Sequence, residues 1–288
     1  MFPVSRLEVI TAEVLTTLPD ELRSHDHLLE GPSFDRAGNL HCVDTRMGRI
    51  YRITPEGQWT VLADYDGQPN GLKIHRDGRI FIADRKNGVM VLAPEGGEPE
   101  LLVGGPAAGG RFLGLNDLVF ASSGDIYFTD QGRSGLQNPN GRVFRYTPDG
   151  TLTAIIENVP SPNGLVLSTR EDALFIAVTR ANCIWRLELN DPEHRTGLFV
   201  QMPSAGPDGM ALDQKGNVVV AHPTFGGVWV YSKLAEPLVL IRSPAGPMTT
   251  NIAYGGDDMR TLYITESRTS SILTARLETP GRPMFSHQ

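Results

Sequence analysis

Apolar residues in this chain occur in short runs, and the runs come in pairs. In each pair a polar residue opens the first run, a glycine-containing turn follows, and a second apolar run comes after the turn. Pro69-Asn70-Gly71-Leu72, for example, leads through Asp77-Gly78 to Ile80–Asp84. Short apolar runs bounded by turn residues are typical of β-strands, so each pair predicts two strands joined by a turn.

This paired pattern is repeated six times along the chain. The polar residues that open the copies are spaced by 40 to 47 positions, and they are Glu30, Asn70, Asn116, Asn163, Asp208 and Asn251. A third and a weaker fourth strand follow the pairs, as at Arg49–Ile53 and 60–63. Such a repeat is typical of one propeller blade. We predict an all-β, six-bladed β-propeller with blades of four antiparallel strands, occupying residues 1–288 as one domain.

The last blade lacks residues for its outermost strand, because the chain is nearly at its end after Ala275. The apolar segment at residues 7–12 is available at the other end of the chain. We expect it to supply that strand and to close the ring between the two chain ends.

Composition narrows the function classes. The 288 residues include 40% hydrophobic and 20% charged side chains, with a formal net charge of −7. The basic residues are scattered, which argues against a nucleic-acid partner. No apolar run approaches the length of a membrane span, and the first eight residues lack the pattern of a secretion signal. Cys42 and Cys183 form no CxxC pair, and we expect buried, reduced thiols in a cytoplasmic protein.

The six opening residues carry the candidate chemistry. In a propeller the innermost strand of each blade lines a central channel, so these residues should converge at one mouth. They are two carboxylates and four carboxamides. An all-oxygen set suits a hard divalent cation, most readily Ca²⁺, with Mg²⁺, Mn²⁺ or Zn²⁺ as alternatives. Asn-Gly and Asp-Gly are also common turn dipeptides. However, separate turns come later in each copy, and Glu30 is a poor turn former, which favours the metal.

Several motifs together resemble those of the gluconolactonase/regucalcin (senescence marker protein) family, and the resemblance covers all six blades. The motifs are Glu30-Gly31-Pro32, Asn116-Asp117 with Tyr127-Phe128-Thr129-Asp130, Pro162-Asn163-Gly164 and Pro207-Asp208-Gly209. The resemblance implies a six-bladed propeller that binds a divalent cation, usually Ca²⁺, and hydrolyses small lactones. It implies that Glu30, Asn163 and Asp208 are direct metal ligands. Asn116 matches a position that is a ligand in some relatives and a substrate or water contact in others.

A mechanism follows from this chemistry. The cation polarises the lactone carbonyl, and a carboxylate beside it accepts a proton from the attacking water. We assign Asp208 as that base and Glu30 as a ligand only.

Substrate contacts are expected from the same face. The loops after the second strand of each blade contribute Arg46, Arg85, Asp130, Arg133, Arg180, His222 and Glu266. Of these, Arg133 and His222 join Asn70, Asn116 and Asn251 as predicted substrate-binding residues. His222 can orient a water molecule or simply pack in the protein interior.

Two other functions stay open. One is a non-catalytic propeller of the NHL type, which binds a partner on its flat face. The other is a phosphotriester or aryl-ester hydrolase at the same metal centre. Two acids at one channel mouth favour an enzyme over a scaffold, and the GxSxG and HExxH motifs of other hydrolases are missing from the sequence.

Overall fold

The computed structural model describes residues 7–24, 26–106 and 109–288. Most of the regular structure in these ranges is β-strand, together with three short 3-10 helices at Asp20–Leu22, Thr179–Ala181 and Phe285–His287. The N-terminal segment on which the absence of a secretion signal was predicted lies largely outside the described residues. In the described ranges, no helix has the length and apolar character needed to cross a membrane.

The strands form six sheets, one for each blade, and apart from the two N-terminal strands they run in chain order outward from the channel. Blade one consists of Leu29–Phe34, Leu40–Asp44, Arg49–Ile53 and Trp59–Asp64. Blade two consists of Pro69–Ile74, Ile80–Asp84, Gly88–Leu92 and Glu100–Val103. Blade three consists of Leu115–Phe120, Ile126–Asp130, Gly141–Tyr146 and Leu152–Val159. Blade four consists of Pro162–Leu167, Ala173–Val178, Cys183–Glu188 and Thr196–Gln201. Blade five consists of Met210–Leu212, Val218–His222, Gly227–Tyr231 and Pro237–Arg242. Blade six consists of Thr249–Gly255, Thr261–Glu266 and Ser271–Arg276, and Glu13–Thr17 completes it. The predicted six-bladed propeller is confirmed.

The core lies between neighbouring blades rather than at the centre of the ring. Val43 and Ile50 of blade one, for instance, form one apolar cluster with Leu72 and Ile82 of blade two. The second strand of each blade is therefore covered on both faces by the neighbouring blades. In blade two, for example, every residue of the second strand, Ile80–Asp84, is buried. Burial on both faces explains why these strands appear in the sequence as continuous apolar runs.

The N-terminal segment closes the ring, as predicted, but with different residues. Glu13–Thr17 pairs antiparallel with Ser271–Arg276 and supplies the outer strand of blade six. Glu8–Thr11, which was expected in that place, pairs parallel with Pro237–Arg242 and adds a fifth strand to blade five. Ala12, which is buried, separates the two strands. The prediction placed the closing strand too early because both segments have similar strand patterns.

The C-terminal segment covers the end of the channel that lies away from the opening residues of the inner strands. The ring of Phe285 stacks on Phe120 with centroids 4.7 Å apart. Arg36 Nε donates to the Ser286 carbonyl at 2.8 Å, and Arg282 Nη1 donates to the Ser168 carbonyl at 2.9 Å. A cavity of about 100 Å³ remains beneath this cover. The C-terminal segment therefore leaves the other mouth of the channel as the place for a site.

Both cysteines are buried and unpaired, as predicted. Burial raises the pKa of the Cys42 thiol far above its usual range. A thiol held in its protonated form is a poor nucleophile, so cysteine chemistry does not compete with the site described below.

Candidate metal centre and substrate pocket

Irregularities in the inner strands aim the opening residues into the channel. The ladder to the second strand shifts register between Glu30 and Ser33, between Leu115 and Leu118, and between Pro162 and Leu165. A bulge of this kind turns a side chain out of the alternating pattern of the strand. Five of the six opening residues are buried, and Asp208 alone of the six keeps partial exposure.

The glycines that follow these residues serve close packing between blades. A β-carbon at Gly209 would lie 2.1 Å from Cγ of Asn251, and one at Gly164 would lie 2.5 Å from the carbonyl oxygen of Asp208. No side chain fits at such distances, so the inner strands can approach each other only at glycine. The Asn-Gly and Asp-Gly dipeptides here are therefore packing sites within the inner strands, and the turn interpretation does not apply to them.

Two carboxylates face each other across the channel mouth. Glu30 Oε2 accepts hydrogen bonds from Asn251 Nδ2 at 2.9 Å and from the Gly31 amide at 3.1 Å. Burial, and then the neighbouring charge of Asp208, raise the pKa of Glu30. Burial also raises the pKa of Asp208, an effect that the side chain of Asn163 and then the guanidinium of Arg85 partly offset. Two neighbouring carboxylates, one buried and one half-buried, are stabilised in their charged form by a positive charge beside them.

Two amide oxygens beside these carboxylates have no protein partner. Asn116 Nδ2 donates to Gln131 Oε1 at 3.0 Å, which leaves Asn116 Oδ1 pointing away from that hydrogen bond. Asn116 Oδ1 and Asn163 Oδ1 are both buried without a hydrogen-bond partner. A buried, unpartnered oxygen costs about 1–3 kcal/mol, so it requires an explanation. A cation that they coordinate supplies one.

The donor set is therefore carboxylate and amide oxygen only. Across the described ranges, no group of three or more His, Cys, Asp and Glu side chains has a metal-binding arrangement. A site here depends on the two asparagines as well as on Glu30 and Asp208. These four residues fit a hard divalent cation.

Asp117 is a channel residue that the sequence reasoning missed. Its Oδ2 accepts from Asn251 Nδ2 at 3.3 Å, and its Oδ1 lies 3.7 Å from Lys73 Nζ. Asp117 is thus a third acid at the channel mouth, and Lys73 pairs with it. One signal was available in the sequence: glycine follows four of the six opening residues, whereas an acid follows Asn116.

The side-chain oxygen and nitrogen of both Asn70 and Asn251 form hydrogen bonds within the protein. Asn70 Nδ2 donates to the Asn116 carbonyl at 3.1 Å, and Thr45 Oγ1 donates to Asn70 Oδ1 at 3.5 Å. Asn251 Oδ1 accepts from the Ile252 amide at 2.8 Å, while its Nδ2 holds Glu30 and Asp117. Both residues line the channel mouth and fix the neighbours that face it.

His222 lies apart from the carboxylates, inside blade five. Its Nδ1 accepts from Trp229 Nε1 at 3.2 Å, and its Nε2 lies 3.2 Å from the Ser204 carbonyl. The ring stacks on Phe225, and its side chain is buried. Burial lowers the pKa of His222, and both ring nitrogens are engaged within the protein.

Two acids expected in the pocket wall instead hold turns. Asp130 Oδ1 accepts from the Gly114 amide at 2.9 Å, and Asp130 pairs with Arg142. Glu266 accepts from the Met248 amide at 2.9 Å and from the Thr269 amide at 2.8 Å. Both side chains are fully buried, because a carboxylate at the end of the second strand satisfies loop amides that have no other partner.

An open pocket of about 630 Å³ lies beside the channel mouth. Its wall includes Arg85, Gln131, Arg133 and Arg180, which come from the loops after the second strands of blades two, three and four. Arg85 Nη1 donates to Gln131 Oε1 at 2.9 Å, and the same oxygen accepts from Asn116. Gln131 therefore joins the pocket to the candidate metal ligands.

Comparisons with known proteins show the family of this chain and support its fold. A family model described as the SMP-30/gluconolactonase/LRE-like region matches residues 28–268. The chain belongs to this family. Among curated SMP-30/gluconolactonase relatives, lactonase drp35 of Staphylococcus aureus is 33% identical over 255 residues, which are 84% of this chain and 76% of that protein.

Two solved structures share the fold of this SMP-30/gluconolactonase family member. Regucalcin from Agrobacterium tumefaciens, described as a calcium-binding protein, superposes with a TM-score of 0.80 at 20% identity and covers 99% of each chain. A gluconolactonase from Xanthomonas campestris superposes with a TM-score of 0.77 at 23% identity, over 97% of this chain and 99% of that one. At these identities the likeness establishes the propeller fold.

Proposed function

We propose that this protein is a divalent-metal-dependent hydrolase that opens the ring of a small lactone, such as the lactone of a sugar acid. Membership of the SMP-30/gluconolactonase family supports a lactone-hydrolysing enzyme. The observation that carries the proposal is the pair of buried, unpartnered amide oxygens beside two buried or half-buried carboxylates.

Four residues would hold the cation: Glu30 and Asp208 through carboxylate oxygens, and Asn116 and Asn163 through Oδ1. Ca²⁺ is the ion we favour, because an all-oxygen set with two carboxylates suits a hard ion and the fold neighbour regucalcin is described as calcium-binding. Mg²⁺, Mn²⁺ and Zn²⁺ are the alternatives to be compared. When bound, the cation polarises the lactone carbonyl and stabilises the negative charge that develops on its oxygen.

The residues of the chain perform the proton transfers. Asp208 accepts a proton from the water that attacks the carbonyl carbon, and its partial exposure gives that water access to the carboxylate. As the ring C–O bond breaks, the proton passes from Asp208 to the departing ring oxygen. The product is an open-chain hydroxy acid. Glu30, held by Asn251 and the Gly31 amide, keeps its orientation throughout.

The experiment is hydrolysis of a lactone panel by chelator-treated protein, with and without each of the four metals. We expect Ca²⁺ to restore turnover. Asp208→Asn should lower kcat by about a thousandfold, because general-base contributions are of that order, while the retained side-chain oxygen preserves weakened metal binding. Asp149→Asn, in an exposed hairpin at the opposite face, is the matched control and should leave both quantities unchanged.

Three results would contradict the proposal in whole or in part. An active Asp208→Asn enzyme would remove the assigned base. Wild-type protein that binds no metal and opens no lactone would favour the NHL-type binding propeller. Turnover of phosphotriesters or aryl esters in place of lactones would keep the metal centre and change the reaction.

A further inference from the structure

The pocket beside the metal centre has an unusual charge for this protein. Three guanidinium groups line it, those of Arg85, Arg133 and Arg180, and no acidic side chain is among the lining residues that the structure describes. The chain as a whole carries a formal net charge of −7. A concentrated positive pocket on an acidic protein attracts anions to that site.

These arginines also lack the partners that arginines have elsewhere in the fold. Within the ranges 7–24, 26–106 and 109–288, none of the three forms an ion pair with a carboxylate. Arg142 and Arg145, on a neighbouring strand of blade three, both do. The guanidinium groups of Arg133 and Arg180 are therefore available to bind a ligand, whereas that of Arg85 is hydrogen-bonded to Gln131.

The backbone around Arg133 is held firmly. The adjacent Ser134 is buried, and its Oγ donates to the Val159 carbonyl at 2.7 Å and accepts from the Gly141 amide at 2.9 Å. Gln131, two residues earlier, donates from Nε2 to Ser161 Oγ at 3.0 Å. The loop thus presents Arg133 from an anchored position.

Arg180 is presented from an equally ordered turn. It lies in the 3-10 helix Thr179–Ala181, which ends at Asn182 in the left-handed conformation. The Thr179 amide donates to the Ser161 carbonyl at 3.0 Å, and Thr179 Oγ1 donates to the Pro207 carbonyl at 2.8 Å. Ser161 therefore contacts both the loop of Arg133 and the loop of Arg180, and it fixes the two loops relative to each other.

We infer that the substrate of this enzyme is an anionic lactone, whose carboxylate or phosphate substituent binds Arg133 and Arg180 while its ring carbonyl faces the metal centre. The inference rests on the proposed lactonase function. Guanidinium groups bind carboxylate and phosphate through paired, charge-assisted hydrogen bonds. Arg85, which Gln131 holds in the pocket wall, adds a positive charge near both Glu30 and Asp208.

The test compares lactones that differ in charge. The carboxylate arm pairs 5-oxotetrahydrofuran-2-carboxylate with the uncharged γ-valerolactone, and the phosphate arm pairs 6-phosphogluconolactone with gluconolactone. We expect kcat/KM of the wild type to be higher for the charged member of one pair, and this preference to shrink in high salt. The pair that shows the preference identifies the substituent.

Substitutions of the pocket arginines then show which of them cause the preference for charged lactones. Arg133→Gln and Arg180→Gln should each lower the charged-to-neutral ratio of kcat/KM by roughly tenfold, mainly through KM, because each removes charge-assisted hydrogen bonds. Arg180→Lys should keep part of the ratio, since it retains the charge. Arg170→Gln, whose side chain is 82% exposed in a hairpin of blade four at the opposite face, is the control and should leave the ratio unchanged.

The outcomes separate the two proposals. Turnover of neutral lactones with no preference for charged ones, or a ratio unaffected by both glutamine variants, overturns the anionic substrate and leaves the lactonase intact. Absence of turnover with every lactone and every metal overturns the lactonase, and the anionic substrate with it.

Discussion

Gln131 determines which atom of Asn116 faces the channel mouth. Its Oε1 accepts from both Asn116 and Arg85, so the Asn116 amide nitrogen points toward Gln131 and its oxygen points away. The Nε2 of Gln131 is fixed in turn by Ser161. A single glutamine thus orients a candidate ligand and a pocket arginine at the same time.

Removal of Gln131 should weaken the proposed metal centre without removing a proposed ligand. In Gln131→Leu, Asn116 loses the acceptor that fixes its amide, and we expect metal affinity and kcat/KM to fall by roughly 10- to 100-fold, the usual effect of losing such a support. Calorimetric titration with Ca²⁺ measures the metal affinity, and lactone hydrolysis measures kcat/KM. Gln131→Glu keeps the accepting oxygens and should retain most of the affinity. Equal loss in both variants would contradict this role.

The sequence predicted the six opening residues because they repeat, and it missed Asp117 and Gln131 because they do not. Asp117 takes the place that glycine holds after most opening residues, and its role depends on Lys73 and Asn251 from two other blades. Gln131 sits in a loop of blade three and contacts residues of blades two and four. Contacts between different blades leave no periodic trace in one sequence.

At the scale of the strand, a carboxylate ends the second strand of most blades and holds the loop beyond it. Asp84 shows the pattern most fully. Its Oδ1 accepts from the Lys86 and Asn87 amides at 2.7 and 2.8 Å, and its Oδ2 accepts from the Tyr65 hydroxyl and the Gln68 amide at 2.8 and 2.9 Å. Two of these loops, those that follow Asp84 and Asp130, carry the pocket arginines Arg85 and Arg133, so these strand ends support the site.

Asp84→Ala should therefore destabilise the folded protein. It leaves four donors without an acceptor around a fully buried position, and we expect the free energy of unfolding to fall by about 3 kcal/mol. Glu95→Ala, in an exposed hairpin of the same blade, should change it by less than about 1 kcal/mol. Urea unfolding midpoints measure both. Similar shifts in the two variants would show that the buried carboxylate has no special role.

At the scale of the whole molecule, one N-terminal segment joins three blades. Ala12 packs in a cluster with Val219 of blade five and Leu273 of blade six. Leu18 packs in another cluster with Tyr51 of blade one and Ile272 of blade six. The sequence predicted that the N-terminus closes the ring, but the exact residues depend on which sheet edge each strand reaches, and strand pattern alone does not determine that choice.

Leu18 provides the sharpest test of this closure, because Leu15 in the same segment is a matched control. Leu18 is fully buried between blades six and one, whereas Leu15 is 39% exposed. Leu18→Ala opens a cavity at the seam and should lower the free energy of unfolding by about 3 kcal/mol, whereas Leu15→Ala should lower it by less than about 1 kcal/mol. Urea unfolding gives both values. Hydrogen exchange should also become faster in Ser271–Arg276, the strand that Glu13–Thr17 covers. If Leu18→Ala destabilised the protein without faster exchange in that strand, the ring would not depend on this segment for its closure.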